Sequence, residues 1–124
     1  MYTYNILINR WIDGDSVNVD IDLGFNIIIK NQVIRLKGID TPELRPRYAD
    51  YTQADGSIDE SARNEEIHQA KIALEFVKSI APEGMTFIGT TSKANPDSFG
   101  RWLLNFKIND KLISEHIIDA GFSD

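Results

Sequence analysis

The sequence predicts an α+β, mainly-β fold: a small barrel of five short strands carrying two helices. Two observations carry that expectation. Apolar residues alternate with period two through the first third of the chain, whereas one later stretch shows helical spacing. Two further apolar runs and a short terminal helix follow, giving the order β-β-β-α-β-β-α. At 124 residues and 42% hydrophobic, residues 1–124 suffice for a single domain with a sizeable core.

Tyr4, Ile6 and Ile8 alternate with Asn5, Leu7 and Asn9, and the aromatic and β-branched bias suits a first strand. Asp13-Gly14 is a turn signal. Val17, Val19, Ile21 and Leu23 against Asn18, Asp20 and Asp22 make the clearest half-buried strand. Residues 25–36 return as a third strand whose apolar phase slips. Ile27 and Ile29 share one parity and Ile34 and Leu36 the other, so a bulge is expected at residues 30–32.

Residues 38–57 read as loop. Ser57 to Glu60 has the form of a capping box opening a helix that runs to about Ile80. Ala70, Ala73, Leu74, Val77 and Ala81 are its apolar stripe, and Pro82 and Gly84 end it. Residues 85–91 and 102–108 are strands around a polar loop. Asn109-Asp110 is a turn, and residues 112–120 are a helix stopped by Gly121.

Composition excludes several classes. With no cysteine, disulfides, thiolate zinc sites and cysteine nucleophiles are out. No apolar run approaches the ~20 residues of a membrane span, and MYTYNILINRW is not a signal peptide. A cytoplasmic monomer that avoids membranes is therefore expected, phage-encoded or given without an export signal. The net charge of −6 argues against gripping nucleic acid by bulk electrostatics. That charge is concentrated: residues 48–66 hold six acids against Arg63, so an acidic insertion is expected at about 45–62. Arg35, Lys37, Arg45 and Arg47 form a small basic counterweight just before it.

Three segments concentrate chemistry. By strand parity Asp15 shares a face with Val17, Val19 and Ile21, so its carboxylate points to the barrel end and needs a cation or donors. Arg35 stands near the end of the third strand, with Asp40 and Glu43 in a loop stiffened by Pro42. Oxygens from Asp15, Asp40 and a loop carbonyl would suit a hard divalent cation such as calcium. The same stretch could instead open a helix, with Asp40 or Thr41 as cap. The third segment, Asp97-Ser98-Phe99-Gly100-Arg101, brings an arginine into a strand straight after a glycine. Tyr48 and Tyr51, beside Arg45 and Arg47, could stack bases. His68 and His116 read as surface residues, and Trp11 and Trp102 as core.

Taken together, these segments resemble the staphylococcal nuclease (thermonuclease-like) family. The match rests on Asp13-Gly14-Asp15-Ser16-Val17, on Val33-Ile34-Arg35-Leu36 with Gly38-Ile39-Asp40-Thr41-Pro42-Glu43, and on Phe99-Gly100-Arg101. Asp20 to Phe25 and Leu112 to Gly121 add weaker likeness, so the resemblance spans nearly the whole chain. It implies a five-stranded oligonucleotide/oligosaccharide-binding (OB-fold) barrel and calcium-dependent hydrolysis of DNA and RNA, leaving 3′-phosphates. It further implies that Asp15, Asp40 and the Thr41 carbonyl hold calcium, that Glu43 positions or deprotonates water, and that Arg35 and Arg101 bind the scissile phosphate. Arg45, Arg47 and Phe99 are the expected further substrate contacts, Ser98 and Phe99 standing where the family often has a basic residue and a tyrosine. The competing expectation is a catalytically idle OB-fold serving binding, structure or interaction.

Overall fold

A computed structural model of the chain describes residues 2–93 and 102–123. Strands β1 (Tyr2–Asp13), β2 (Ser16–Gly24) and β3 (Ile27–Leu36) form an antiparallel meander. β4 (Thr86–Lys93) returns antiparallel to β1, and β5 (Trp102–Ile108) pairs with β4. β5 then meets β3 in parallel, Arg35 opposite Leu103 and Leu36 opposite Leu104. That contact closes five strands into a mixed, OB-fold-like barrel, carried with helices α1 (Glu60–Ile80) and α2 (Ile113–Asp119). A two-residue strand β6 (Lys111–Leu112), too short for a periodic signal, adds to β5 through the Asn109-Asp110 turn, where both residues have positive φ.

The alternation in β2 sends Val17, Val19 and Ile21 inward, where they meet Ile6, Ile8, Ile34, Leu36, Leu104 and Phe106. Val77 and Ala81 of α1 and Ile113 and Ile117 of α2 cover the same core. Each Val, Ile, Leu or Phe side chain among them contributes roughly 1.5–3 kcal/mol through burial. Close packing demands Gly89 on β4: a Cβ there would stand 2.6 Å from Ile6 and 2.7 Å from Leu104. Trp11 belongs to the core, its indole N–H donating to the Ala81 carbonyl at 2.8 Å, whereas Trp102 stays partly exposed. Among the described residues no helix is long and apolar enough to cross a membrane.

The phase slip in β3 is a bulge. Gln32 faces Val19 and Ile29 faces Ile21, so Lys30 and Asn31 together oppose Asp20. Asn31 takes φ 57°, and its N–H donates to the Asp20 carboxylate at 2.9 Å. The Asn9 amide donates to that carboxylate as well, at 2.7 Å. Both donors hold Asp20 below the usual carboxylate range, the Asn31 N–H most.

The capping box is corrected. Asp59, not Ser57, caps α1, accepting from the Ala62 N–H at 3.0 Å. The Ser57 hydroxyl is taken up by Gln53 and Asp55 in its own turn. Pro42 opens no helix either; the chain runs irregularly to a single 3-10 turn at Tyr48–Tyr51. The acidic insertion is clasped at its base, the Gln53 N–H donating to the Ser57 carbonyl and the Asp59 N–H to the Tyr51 carbonyl.

Candidate active site

The β1–β2 turn and the end of β3 meet at one end of the barrel. The Leu36 N–H donates to the Asp15 main-chain carbonyl at 2.8 Å, which fixes the turn against β3. Parity makes Asp15 face inward, and its carboxylate is buried. Beyond β3 the chain reverses at Gly38, where φ of 80° suits glycine, and Ile39 anchors the loop in the core. Asp40 emerges exposed, its N–H held by the Ser123 hydroxyl at 2.9 Å. The Thr41 N–H donates to Asp15 Oδ2 at 3.2 Å. The Thr41 side chain lies over Gly14, where an added Cβ would meet Oγ1 at 2.8 Å.

Arg35 joins these pieces. Its Nη2 stands 3.3 Å from Asp40 Oδ1, 3.7 Å from Asp15 Oδ2 and 3.4 Å from the Ile39 carbonyl. One guanidinium nitrogen thus faces both carboxylates predicted as ligands. Burial is the largest influence on the Asp15 carboxyl, and with the neighbouring Asp13 carboxylate it pushes that group up to about 7. The Thr41 N–H and the Arg35 charge pull the other way and lose. A buried carboxylate this reluctant to ionise is a site that a cation would stabilise.

The residues fit a hard divalent ion. Two carboxylates converge on a common cationic point, and hard oxygen donors at such a point are what calcium takes. Among the described residues no group of three or more acidic or histidine side chains gathers at metal-binding distance. A two-carboxylate site leaves the rest of a calcium shell to carbonyl, substrate and water oxygens.

The other expected residues lie around this centre or outside it. Glu43 and Arg45 line a groove of about 430 Å³ with Arg10, Trp11, Ile12 and Asp13. Asp13 connects the groove to the centre, its carboxylate accepting from the Asp15 N–H at 3.2 Å. Arg47 turns into the insertion and pairs with Asp50 at 3.0 Å. The tyrosines are engaged there too. The Arg63 guanidinium lies 4.1 Å from the Tyr48 ring centroid, and the Tyr51 hydroxyl donates to Glu66 at 2.8 Å. Phe99 and Arg101 lie outside the described residues. His68 is exposed, whereas half-buried His116 touches the Ile108 carbonyl through Nε2 at 2.9 Å.

Arg10, Asp13 and Ser123 belong to the surroundings of the site without having been expected there. Asp13 was detectable, since it shares a turn with Asp15 and the same strand parity. Ser123 had no signal, because a contact across 83 residues leaves no local pattern. No known family model matches this chain, and no curated protein matches it.

Proposed function

We propose that this protein is a calcium-dependent phosphodiesterase of the staphylococcal nuclease type, hydrolysing DNA and RNA without sugar specificity and leaving 3′-phosphate ends. The observation that carries the reading is Arg35, one of whose guanidinium nitrogens faces Asp15 and Asp40 together. Opposed charges at a barrel mouth, one of them a buried carboxylate with a strongly raised pKa, mark a functional site more than a structural ion pair.

A phosphodiester is an anion and repels an incoming hydroxide, so hydrolysis needs cations at its non-bridging oxygens. Arg35, 37% exposed in its side chain, can turn from the carboxylates to those oxygens with two parallel hydrogen bonds. Asp15, Asp40 and the Thr41 carbonyl would hold calcium, which when bound neutralises charge on the reacting phosphate. Glu43, exposed in the adjoining groove, would take the proton from the attacking water as the P–O5′ bond breaks, the leaving 5′-oxygen taking a proton from solvent water. Arg101 would supply the second guanidinium.

In-gel digestion of single-stranded DNA and of RNA, with calcium or with EGTA, tests this. Cleavage is expected with calcium and not with EGTA, falling on the order of 100- to 1000-fold in Arg35→Ala. Glu43→Gln should lose about 100-fold or more, as expected of a missing general base. No cleavage by the wild type, or cleavage indifferent to both substitutions, rejects the reading. An idle binding module would retard the DNA in a native gel and leave it intact.

A further inference from the structure

We infer that Ser123 is a positioning residue of the site: its hydroxyl, carried on the turn after α2, fixes the Asp40 peptide so that the Asp40 and Asp15 carboxylates can meet at one cation. The inference rests on the calcium reading proposed above and adds to it a residue 83 positions away in the chain.

Asp40 needs such a hold. Its side chain is 80% exposed, so packing does not orient it. Among the described residues two contacts tie Asp40 by hydrogen bond or charge. Arg35 Nη2 stands 3.3 Å from its Oδ1, and the Ser123 hydroxyl accepts from its N–H at 2.9 Å. The first is lost whenever Arg35 turns to a phosphate. The neighbouring residues do not replace it. Ile39 anchors the loop through its buried side chain, and the Thr41 N–H is engaged by the carboxylate of Asp15, itself an expected ligand. Of these hydrogen bonds and ion pairs, only the Ser123 bond draws on neither a ligand nor the arginine. Because a peptide unit is planar, fixing the Asp40 N–H narrows the directions in which its side chain can leave the backbone.

The turn after α2 places that hydroxyl firmly. The Gly121 N–H donates to the Ile118 carbonyl at 2.9 Å and the Phe122 N–H to the Ile117 carbonyl at 3.1 Å. These are the paired bonds of a Schellman motif, and Gly121 takes the φ of 85° that the motif requires. Phe122 then packs on the core, its ring centroid 5.2 Å from that of Phe76 in α1. Ser123 thus follows directly on a residue held by both its backbone and its ring. Between turn and loop lies a cleft of about 280 Å³, with Asp40, Thr41 and Pro42 on one side and Gly121, Phe122 and Ser123 on the other. The Asp40–Ser123 bond spans that cleft and fastens the loop to the helix. Hydrogen bonds behind the ligands of a metal commonly change its affinity by about tenfold or more.

Calcium titration followed through the NMR amide signals of Asp40 and Thr41, together with amide exchange in EGTA, tests the inference. In Ser123→Ala the Asp40 amide should exchange at least about tenfold faster, and the calcium dissociation constant should rise about tenfold. Its circular dichroism and its urea midpoint in EGTA should stay close to those of the wild type. Ser123→Thr keeps an acceptor oxygen and should restore both values to within about twofold of the wild type. Gly121→Ala, strained at its φ, should shift the hydroxyl and weaken calcium in the same direction. Calcium binding by Ser123→Ala at the wild-type affinity overturns this inference and leaves the calcium reading standing. So does an unchanged Asp40 exchange rate, or a loss that Ser123→Thr fails to restore, which assigns the effect to packing. A wild type that binds no calcium overturns the proposed function and this inference with it.

Discussion

The two halves of β3 follow opposite rules. Before the bulge, isoleucines stand in water on both faces; after it, Ile34 and Leu36 are fully buried and Arg35 between them serves the site. Apolar content is similar in both, so content alone does not decide burial. What differs is the neighbourhood: β5 and the core lie against the second half, and among the described residues no element packs on the first. The lesson is that a strand is buried where a second layer meets it, and such places can seat a charged side chain between buried neighbours.

One isoleucine from each half offers the sharpest break of that comparison. Ile34→Ala should cost about 2–5 kcal/mol of unfolding free energy, measured by urea titration, for a fully buried isoleucine. Ile28→Ala, before the bulge and 50% exposed, should stay within about 1 kcal/mol. Equal losses would mean that the first half of β3 is packed in solution.

Within the second half, Arg35→Lys distinguishes charge from geometry. Cleavage should remain at least about tenfold below wild type, because an ammonium cannot make two parallel bonds to a phosphate. Full activity in Arg35→Lys would reduce the residue to a point charge.

The buried carboxylate sets a pH dependence of known sign. Asp15 in the fold keeps its proton to about pH 7, while in the unfolded chain it ionises near its usual value, so this group costs the fold stability as pH rises through that window. Asp15→Asn removes the cost. In EGTA, its unfolding free energy relative to wild type should improve between pH 4 and pH 7 and then level off, by at most about 4 kcal/mol. Calcium should reverse the order at pH 8, since it stabilises only the protein that retains the carboxylate.

Smaller effects probe the contact between turn and loop. Gly14→Ala should destabilise by about 1–3 kcal/mol, because the new methyl displaces Thr41 and loosens its N–H bond to Asp15. Thr41→Val should be neutral or stabilising by about 1 kcal/mol. It removes a buried hydroxyl that has no hydrogen-bond partner among the described residues and keeps the shape.

Much of this architecture was readable in advance because it rests on local periodicity. The bulge followed from the mismatch between Ile27 and Ile34, the inward Asp15 from strand parity, and the α1 stripe from Ala70, Ala73 and Val77. Features set by competition or by distant contacts were not readable. Ser57 and Asp59 are both good caps, and the turn that takes up the Ser57 hydroxyl left the role to Asp59. The pairing of Arg47 with Asp50 and of Tyr51 with Glu66 comes from the folded insertion, which leaves no periodic signal. The meeting of Arg35 with Asp15 and Asp40 depends on the reversal at Gly38, which motif spacing implied and periodicity alone did not.

The clasp at the foot of the acidic insertion has an evolutionary corollary. Because Thr52 and Ile58 bridge and the bonds around them close the excursion on itself, its tip enters and leaves at nearly one point in space. A short chain joining those ends has little more to pay in entropy than the present one. Residues 53–57 can thus be trimmed, extended or exchanged for another peptide while α1 keeps its cap and the barrel its strands, which makes this corner a natural port for grafting a new recognition element.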